Sequence, residues 1–332
     1  MSDNCIYLSK NYTMGKRKPI TLKNAKHILS LVSEYGIAGT AETLGMKQRS
    51  VQRRLREIKK VHGLEGVTNE IDMPKILMLD IETAQMEVKV WSLINNNYIQ
   101  PNRIVKPSFI ICFSAKWLTG SEMMRHTVTP EEALARDDKR IMQEAWKLLD
   151  EADFVIGHNM KKFDRRKLNA KFFVHKMFPP SPYKVIDTLV ESKKVFDHPS
   201  HKLDYISQLI SNKHKIKTDI GLWDACEAGD PDALEQMGVY CDEDTFLLEE
   251  AYLELRPWIR PHPNLGLYLT TDDKHGQFAC PNCAKIHDPE KVNWDGVYST
   301  NISQFKTFRC TCGAVVRTRN SHKISPLMSI GF

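Results

Sequence analysis

Residues Ile76-Leu77-Met78-Leu79-Asp80-Ile81-Glu82-Thr83 constrain the fold more than any other segment. An apolar run of this length reads as a buried strand, and it closes on two carboxylates. Carboxylates at the end of a buried strand are costly unless something pairs with them. Side chains at i and i+2 of a strand share a face, so Asp80 and Glu82 point together while Ile81 turns back into the core.

Two more segments carry acids in apolar surroundings. Val155-Ile156-Gly157-His158-Asn159 is a second apolar run, with Phe163-Asp164 just beyond it. Asp164 falls at the start of a helix predicted over 163–176. Tyr240-Cys241-Asp242-Glu243-Asp244 lies in a long helical stretch predicted over 231–253, where Tyr240 stands one turn before Asp244 on the same face. Strand-end and helix-borne carboxylates can converge on one point. Mg²⁺ is bound by a few carboxylates together with substrate phosphate, and two such ions clamp in-line displacement at phosphorus.

In these motifs residues 73–256 resemble the DnaQ-like, or DEDD, family of 3′→5′ exonucleases. Asp80 and Glu82 match the first family motif, Asp164 the second and Asp244 the third. Tyr240 at the Tyr-x-x-x-Asp spacing matches the tyrosine subclass; the histidine subclass has a histidine where Val239 stands here. The stretches His201-Lys202-Leu203-Asp204, Gly221-Leu222-Trp223 and Gly229-Asp230 resemble a phage or bacterial branch. The resemblance implies an α/β, ribonuclease-H-like mixed sheet flanked by helices, two Mg²⁺ or Mn²⁺ ions, and release of nucleoside monophosphates from a DNA 3′ end. It implies one ion on Asp80, Glu82 and Asp244, a second mainly on Asp80 with Asp164 acting directly or through water, and a Tyr240 that orients the attacking water. A DNA polymerase or replication protein is the implied partner.

Charge divides the chain. Residues 1–70 carry 13 Lys+Arg against 6 Asp+Glu, residues 71–256 a net −5, and residues 257–332 a net +4. An acidic middle between basic ends fits a metal-dependent core flanked by nucleic-acid-holding modules. At 42% hydrophobic and 27% charged, with no apolar run near the ~20 residues a span needs, the chain reads as soluble and off the membrane. The polar start, Met1-Ser2-Asp3-Asn4, does not read as a secretory signal. Cysteine usage suits a reducing cytoplasm, that of the bacterial host if the chain is phage-encoded.

Residues 1–66 are expected to form a DNA-binding helix-turn-helix. Thr21 caps a first helix over 22–34, Gly36 breaks it, a short helix covers 40–44, Gly45 turns the chain, and a basic helix runs over 48–61. Ala38, Ala41 and Leu44 face Val51, Leu55 and Ile58, and Arg49, Arg53 and Arg54 are the candidate DNA contacts. Residues 62–73 read as a linker. In the core, strands over 75–81, 87–93, 107–117 and 123–128 are expected in one mixed sheet, followed by alternating strands and helices.

Three prolines in 257–263 read as a second linker. Beyond it, residues 264–332 hold Cys280-Pro281-Asn282-Cys283 and Cys310-Thr311-Cys312, a pattern suited to one structural, tetrahedral zinc in a zinc ribbon. Cys-x-Cys replaces the commoner second Cys-x-x-Cys, so His287 and His322 stand as alternatives for the fourth ligand. Arg309, Arg317 and Arg319 suit a nucleic-acid grip or a protein contact. His158 is expected to be satisfied locally, Asp187 to have no metal role, and Trp91 and Trp117 to belong to the core. Two rival readings share these residues. An RNA 3′→5′ exonuclease fits the same motifs, because the clamp acts on the phosphodiester. A non-catalytic DNA-binding regulator with an exonuclease-like core would be favoured by a missing acid, and all four are present.

Overall fold

The computed structural model describes residues 22–46, 48, 50–52, 54, 55, 58, 73–92, 98–118, 120–269 and 278–321. The chain divides into two compact units, Met1–Glu70 and Ile71–Phe332.

In the first unit one helix, α1 (Leu22–Thr43), runs through Gly36 without a break, so the expected first two helices are one. An interior glycine costs a helix about 1 kcal/mol. The apolar stripe of Ala25, Ile28, Val32 and Ala41 continues across it and outweighs that cost by packing on Val51, Leu55 and Ile58. Gly45, at φ 58°, then turns the chain as expected into the helical residues of α2, between 48 and 58. Of the candidate DNA contacts, Arg54 is half-buried on α2, while Arg49 and Arg53 lie outside the described residues, as do the basic 16–18 segment, Ala38's side chain, the 62–72 linker and His322.

The second unit is built on a five-stranded mixed sheet in the order β5-β4-β1-β6-β7. Its strands are β1 (Ile76–Thr83), β4 (Ile110–Trp117), β5 (Met123–Thr127), β6 (Phe154–Gly157) and β7 (Lys184–Asp187). β4 lies antiparallel to β1 and β5, whereas β6 is parallel to both β1 and β7. Leu77, Leu79 and Ile81 pack on the face covered by α4 (Lys139–Glu151) and α5 (Asp164–Val174). Ile76 and Met78 point the other way, toward α7 (Leu203–Ser211) and the C-terminal half of α9 (Pro231–Leu255). The same alternation sends Asp80 and Glu82 to the α9 side. Asp230 starts α9 by accepting from the Asp232 and Ala233 amides.

Several elements differ from expectation. The strand expected over 87–93 is only β2 (Glu87–Val88), and it pairs with β3 (Ile104–Lys106) in a separate ribbon outside the main sheet. Trp91 on that ribbon is 90% exposed, which corrects its assignment to the core; it stacks against Arg103 at 5.2 Å. Trp117 does pack on the core. Two helices have no sequence expectation: α3 (Pro130–Ala135), closed by a Thr129–Glu132 capping box, and α8 (Ile220–Glu227), capped by Asp219. α6 (Thr188–Val195) follows β7 directly. The proline-rich 257–263 stretch opens no free linker. Ile259, Leu265 and Leu269 are buried against α9 and β6, because these apolar side chains alternate with the prolines.

The cysteine-bearing segment forms a ribbon, β8 (Phe278–Ala279) with β9 (Ile286–His287), and a three-stranded sheet of β10 (Gly296–Ser299), β11 (Gln304–Arg309) and β12 (Val315–Arg317). It is tied to α9 by an Asn282 side-chain hydrogen bond to the Arg256 carbonyl, 2.8 Å. Among the described residues no helix is long and apolar enough to cross a membrane.

Candidate metal centres

Asp80, Glu82 and Asp244 each offer a carboxylate oxygen within 4.8 Å of the others. β1 delivers the first two from one face, and α9 crosses that face to deliver the third. Asp164 sits apart from this trio at the first turn of α5, 2% exposed. It is still close enough to Asp80 for its charge to raise that carboxyl.

Burial raises every one of these acids. Asp80 is pushed well above the carboxylate range by desolvation and then by Asp164, Glu82 and Asp244. Desolvation and the neighbouring Asp244 move Glu82 to about 8. Asp164 rises to about 7, through burial partly offset by backbone hydrogen bonds. Asp244 is also raised by burial, against the pull of Lys215. Its Oδ1 is buried with no hydrogen-bond partner. Crowded hard oxygens with an orphaned lone pair form a donor set suited to a divalent cation.

Lys215 is the residue that the motifs do not announce. Its Nζ lies 2.6 Å from Asp244 Oδ2, and it stands 5.6 Å from the centre of the Tyr240 ring. Asp204, in the His201–Asp204 stretch, fixes it by accepting from the Lys215 amide at 2.9 Å. The only sequence signal is the basic run Lys213-His214-Lys215-Ile216-Lys217 ahead of α9. Tyr240 packs edge-on to Trp223, and burial holds its phenol protonated. Cys241 forms part of the floor, its Sγ 3.5 Å from the Asp80 carbonyl.

Asp187 is structural, as expected. It accepts from the Asn159 amide (3.0 Å), the Lys161 amide (2.9 Å) and the Val190 amide (3.2 Å), so it caps α6 and pins the turn that presents Asp164. Asn159 takes φ 67° in that turn. His158 is only half satisfied: Nδ1 meets Thr188 Oγ1 at 2.9 Å, but Nε2 is buried without a partner, and desolvation lowers the ring to about 4. Asp242 is engaged away from the trio, with Ser114 and Arg125.

The second centre joins Cys280, Cys283, Cys310 and Cys312, whose sulfurs also lie within 4.8 Å of one another. Cys280 and Cys312 are 3.8 Å apart, Cys283 and Cys310 3.7 Å. The neighbouring Cys280 thiol and then the Lys285 backbone lower Cys283. His287 Nε2 lies 3.3 Å from Cys310, beside a complete set of four sulfurs. Four soft donors at this spacing suit zinc.

No protein-family model matches the sequence. No curated protein matches it either. Among solved structures, the family B DNA polymerase from the hyperthermophilic archaeon Pyrobaculum calidifontis matches with 15% identity and a TM-score of 0.40. That match covers 62% of this chain, and the chain spans 26% of the polymerase's length.

Proposed function

We propose that the chain is a two-metal 3′→5′ exonuclease that releases nucleoside monophosphates from DNA. The observation that carries the reading is the convergence of Asp80, Glu82 and Asp244 from β1 and α9, with Asp164 buried near enough to raise Asp80. The mixed sheet agrees with the ribonuclease-H-like fold that the DEDD resemblance implies.

Asp80, Glu82 and Asp244 would hold one ion, and Asp80 with Asp164 a second. Divalent ions there supply the charge neutralisation and water activation that phosphodiester hydrolysis needs. The chain's own groups do the rest. Tyr240 keeps its proton and offers an O–H to orient the attacking water. Lys215, on a loop anchored by Asp204, stands where its charge can meet a scissile phosphate. The Asp187-pinned turn holds Asp164 in register with β1. Under this reading the cysteine module carries structural zinc and the first unit contributes DNA affinity.

A 5′-labelled oligonucleotide incubated with the purified protein and Mg²⁺ or Mn²⁺ should shorten stepwise from its 3′ end. Single-stranded DNA, duplex DNA and RNA serve as parallel substrates. No shortening of DNA with either metal, by protein that holds its zinc, would reject the reading, and shortening of RNA alone would transfer it to RNA.

A further inference from the structure

The cysteine module presents a sheet face that its metal cluster does not use. Residues directly opposite in antiparallel strands share a side. Tyr298 faces Phe305, Thr307 faces Arg317, and Arg309 faces Val315, so these six side chains occupy one face. Phe308 and Val316 lie on the other, packed with Cys280 and Cys310. On the open face the Arg317 guanidinium lies 4.3 Å from the centre of the Phe305 ring and 5.3 Å from that of Tyr298. Tyr298 and Val315 are each 46% exposed, and Arg309 and Arg317 are exposed as well.

Charge selects the occupant. From Gly296 to Ser321 the sequence holds Lys306, Arg309, Arg317 and Arg319 and not one Asp or Glu. Rings interleaved with arginine, on three strands without acids, match a chain that alternates flat bases with phosphates. Arginine planes stack on bases as rings do, so the Tyr298–Arg317–Phe305 stack offers a platform, and the charges of Arg317 and Arg309 on the same face offer phosphate contacts. A duplex hides its base faces and could not use the stack.

We propose that this face binds single-stranded DNA. The choice of DNA rests on the reading of the core as a DNA exonuclease, whereas stacking and charge come from the module itself.

The test is anisotropy of a labelled oligo-dT with the full-length, zinc-loaded protein, without added Mg²⁺, across a salt series. Phe305→Ala should weaken binding about tenfold, the scale of one lost base stack. Arg317→Ala should weaken it too and flatten the log–log salt slope by about 0.7. Arg317→Lys keeps the charge and should restore the slope, with the affinity only partly recovered. Zinc content equal to wild type certifies that each module is folded. Unchanged affinity and slope in zinc-replete Phe305→Ala and Arg317→Ala protein overturn the proposal, as does binding of oligo-rU where oligo-dT does not bind. Weakened binding in a protein that cleaves nothing leaves this proposal standing and sinks the exonuclease reading; full cleavage with unaltered binding does the reverse.

Discussion

Asp80 stands among three other acids in a site too dry to ionise them all cheaply, and that crowding has a pH signature. With Glu82 raised to about 8 and Asp164 to about 7, the folded chain keeps protons that the unfolded chain releases near pH 4. The folded state then binds more protons, so stability falls as pH rises through that window. His158 and His262, lowered to about 4 by burial, tilt stability the other way, but only below about pH 6.5. Metal-free protein should therefore melt lower at pH 8 than at pH 6.5. Mg²⁺ should raise the melting temperature more at pH 8, and Asp80→Asn should shrink the slope. A flat melting temperature between the two pH values in chelex-treated protein would contradict the crowding. Lys215 offsets the same charge by its ion pair with Asp244. Lys215→Met should therefore tighten Mg²⁺ binding, seen by titration calorimetry, while slowing turnover. Tyr240→Phe removes one O–H and leaves the carboxylates, so it should cost about 10²-fold in turnover with residual cleavage, the scale of lost positioning. Wild-type rates would reduce Tyr240 to a packing residue.

The elements that place these residues were unevenly legible. Asp187 is the clearest element-scale device: one carboxylate caps α6 and ties the Asn159–Lys161 turn to β7. Asp187→Ala orphans three amides and should cost about 2 kcal/mol, a cap loss plus unsatisfied donors, read by denaturant unfolding. It should also slow cleavage, because Asp164 loses its register, without changing zinc content. A loss below a few tenths would mean the turn is held elsewhere. The strand β1 and the helix α9 could be read from sequence because their periodicities are local: alternation sends Asp80 and Glu82 to one side, and a four-residue step puts Tyr240 with Asp244. Lys215 could not be read, since it sits in a polar loop and reaches Asp244 only once α7 and α9 have packed. Gly36 misled because a glycine's local cost says nothing of the stripe it interrupts. The β2–β3 ribbon misled because Glu87-Val88-Lys89-Val90-Trp91 alternates like a half-buried strand whichever sheet it joins, and Trp91 ended up in solvent. Pro257–Pro263 looked like a linker for the opposite reason: prolines mark a chain reversal, but Ile259 and Leu265 between and after them still seek the core.

At the scale of the whole chain, an acidic middle lies in sequence between two basic ends, and each end makes a separable demand. If α2 reads DNA through Arg49, Arg53 and Arg54, replacing all three with alanine should weaken duplex binding and lower the salt slope by about 0.9 for each lost phosphate contact. Cleavage of a saturating single strand should persist. Identical slopes would make this unit a structural cap. The cysteine module is bound to the core more intimately. Its own apolar cluster is small, built on Phe308, Val316 and two cysteines, too little to fold without a metal. Yet Ala284 is buried with Ile259, Leu265 and the end of α9, and Asn282 holds the Arg256 carbonyl. Zinc on these four sulfurs would therefore stabilise more than the module: it would close the knuckle that covers the C-terminal turn of α9, the helix that carries Asp244. Elemental analysis should find about one zinc per chain. Cys283→Ser should lose that zinc and lower the melting temperature of the core, while Asp80 and Asp244 still meet and some cleavage remains. A zinc-free variant that melts like wild type would show that the module hangs on the core without supporting it, and a wild-type chain with no zinc would remove the metal from this centre altogether.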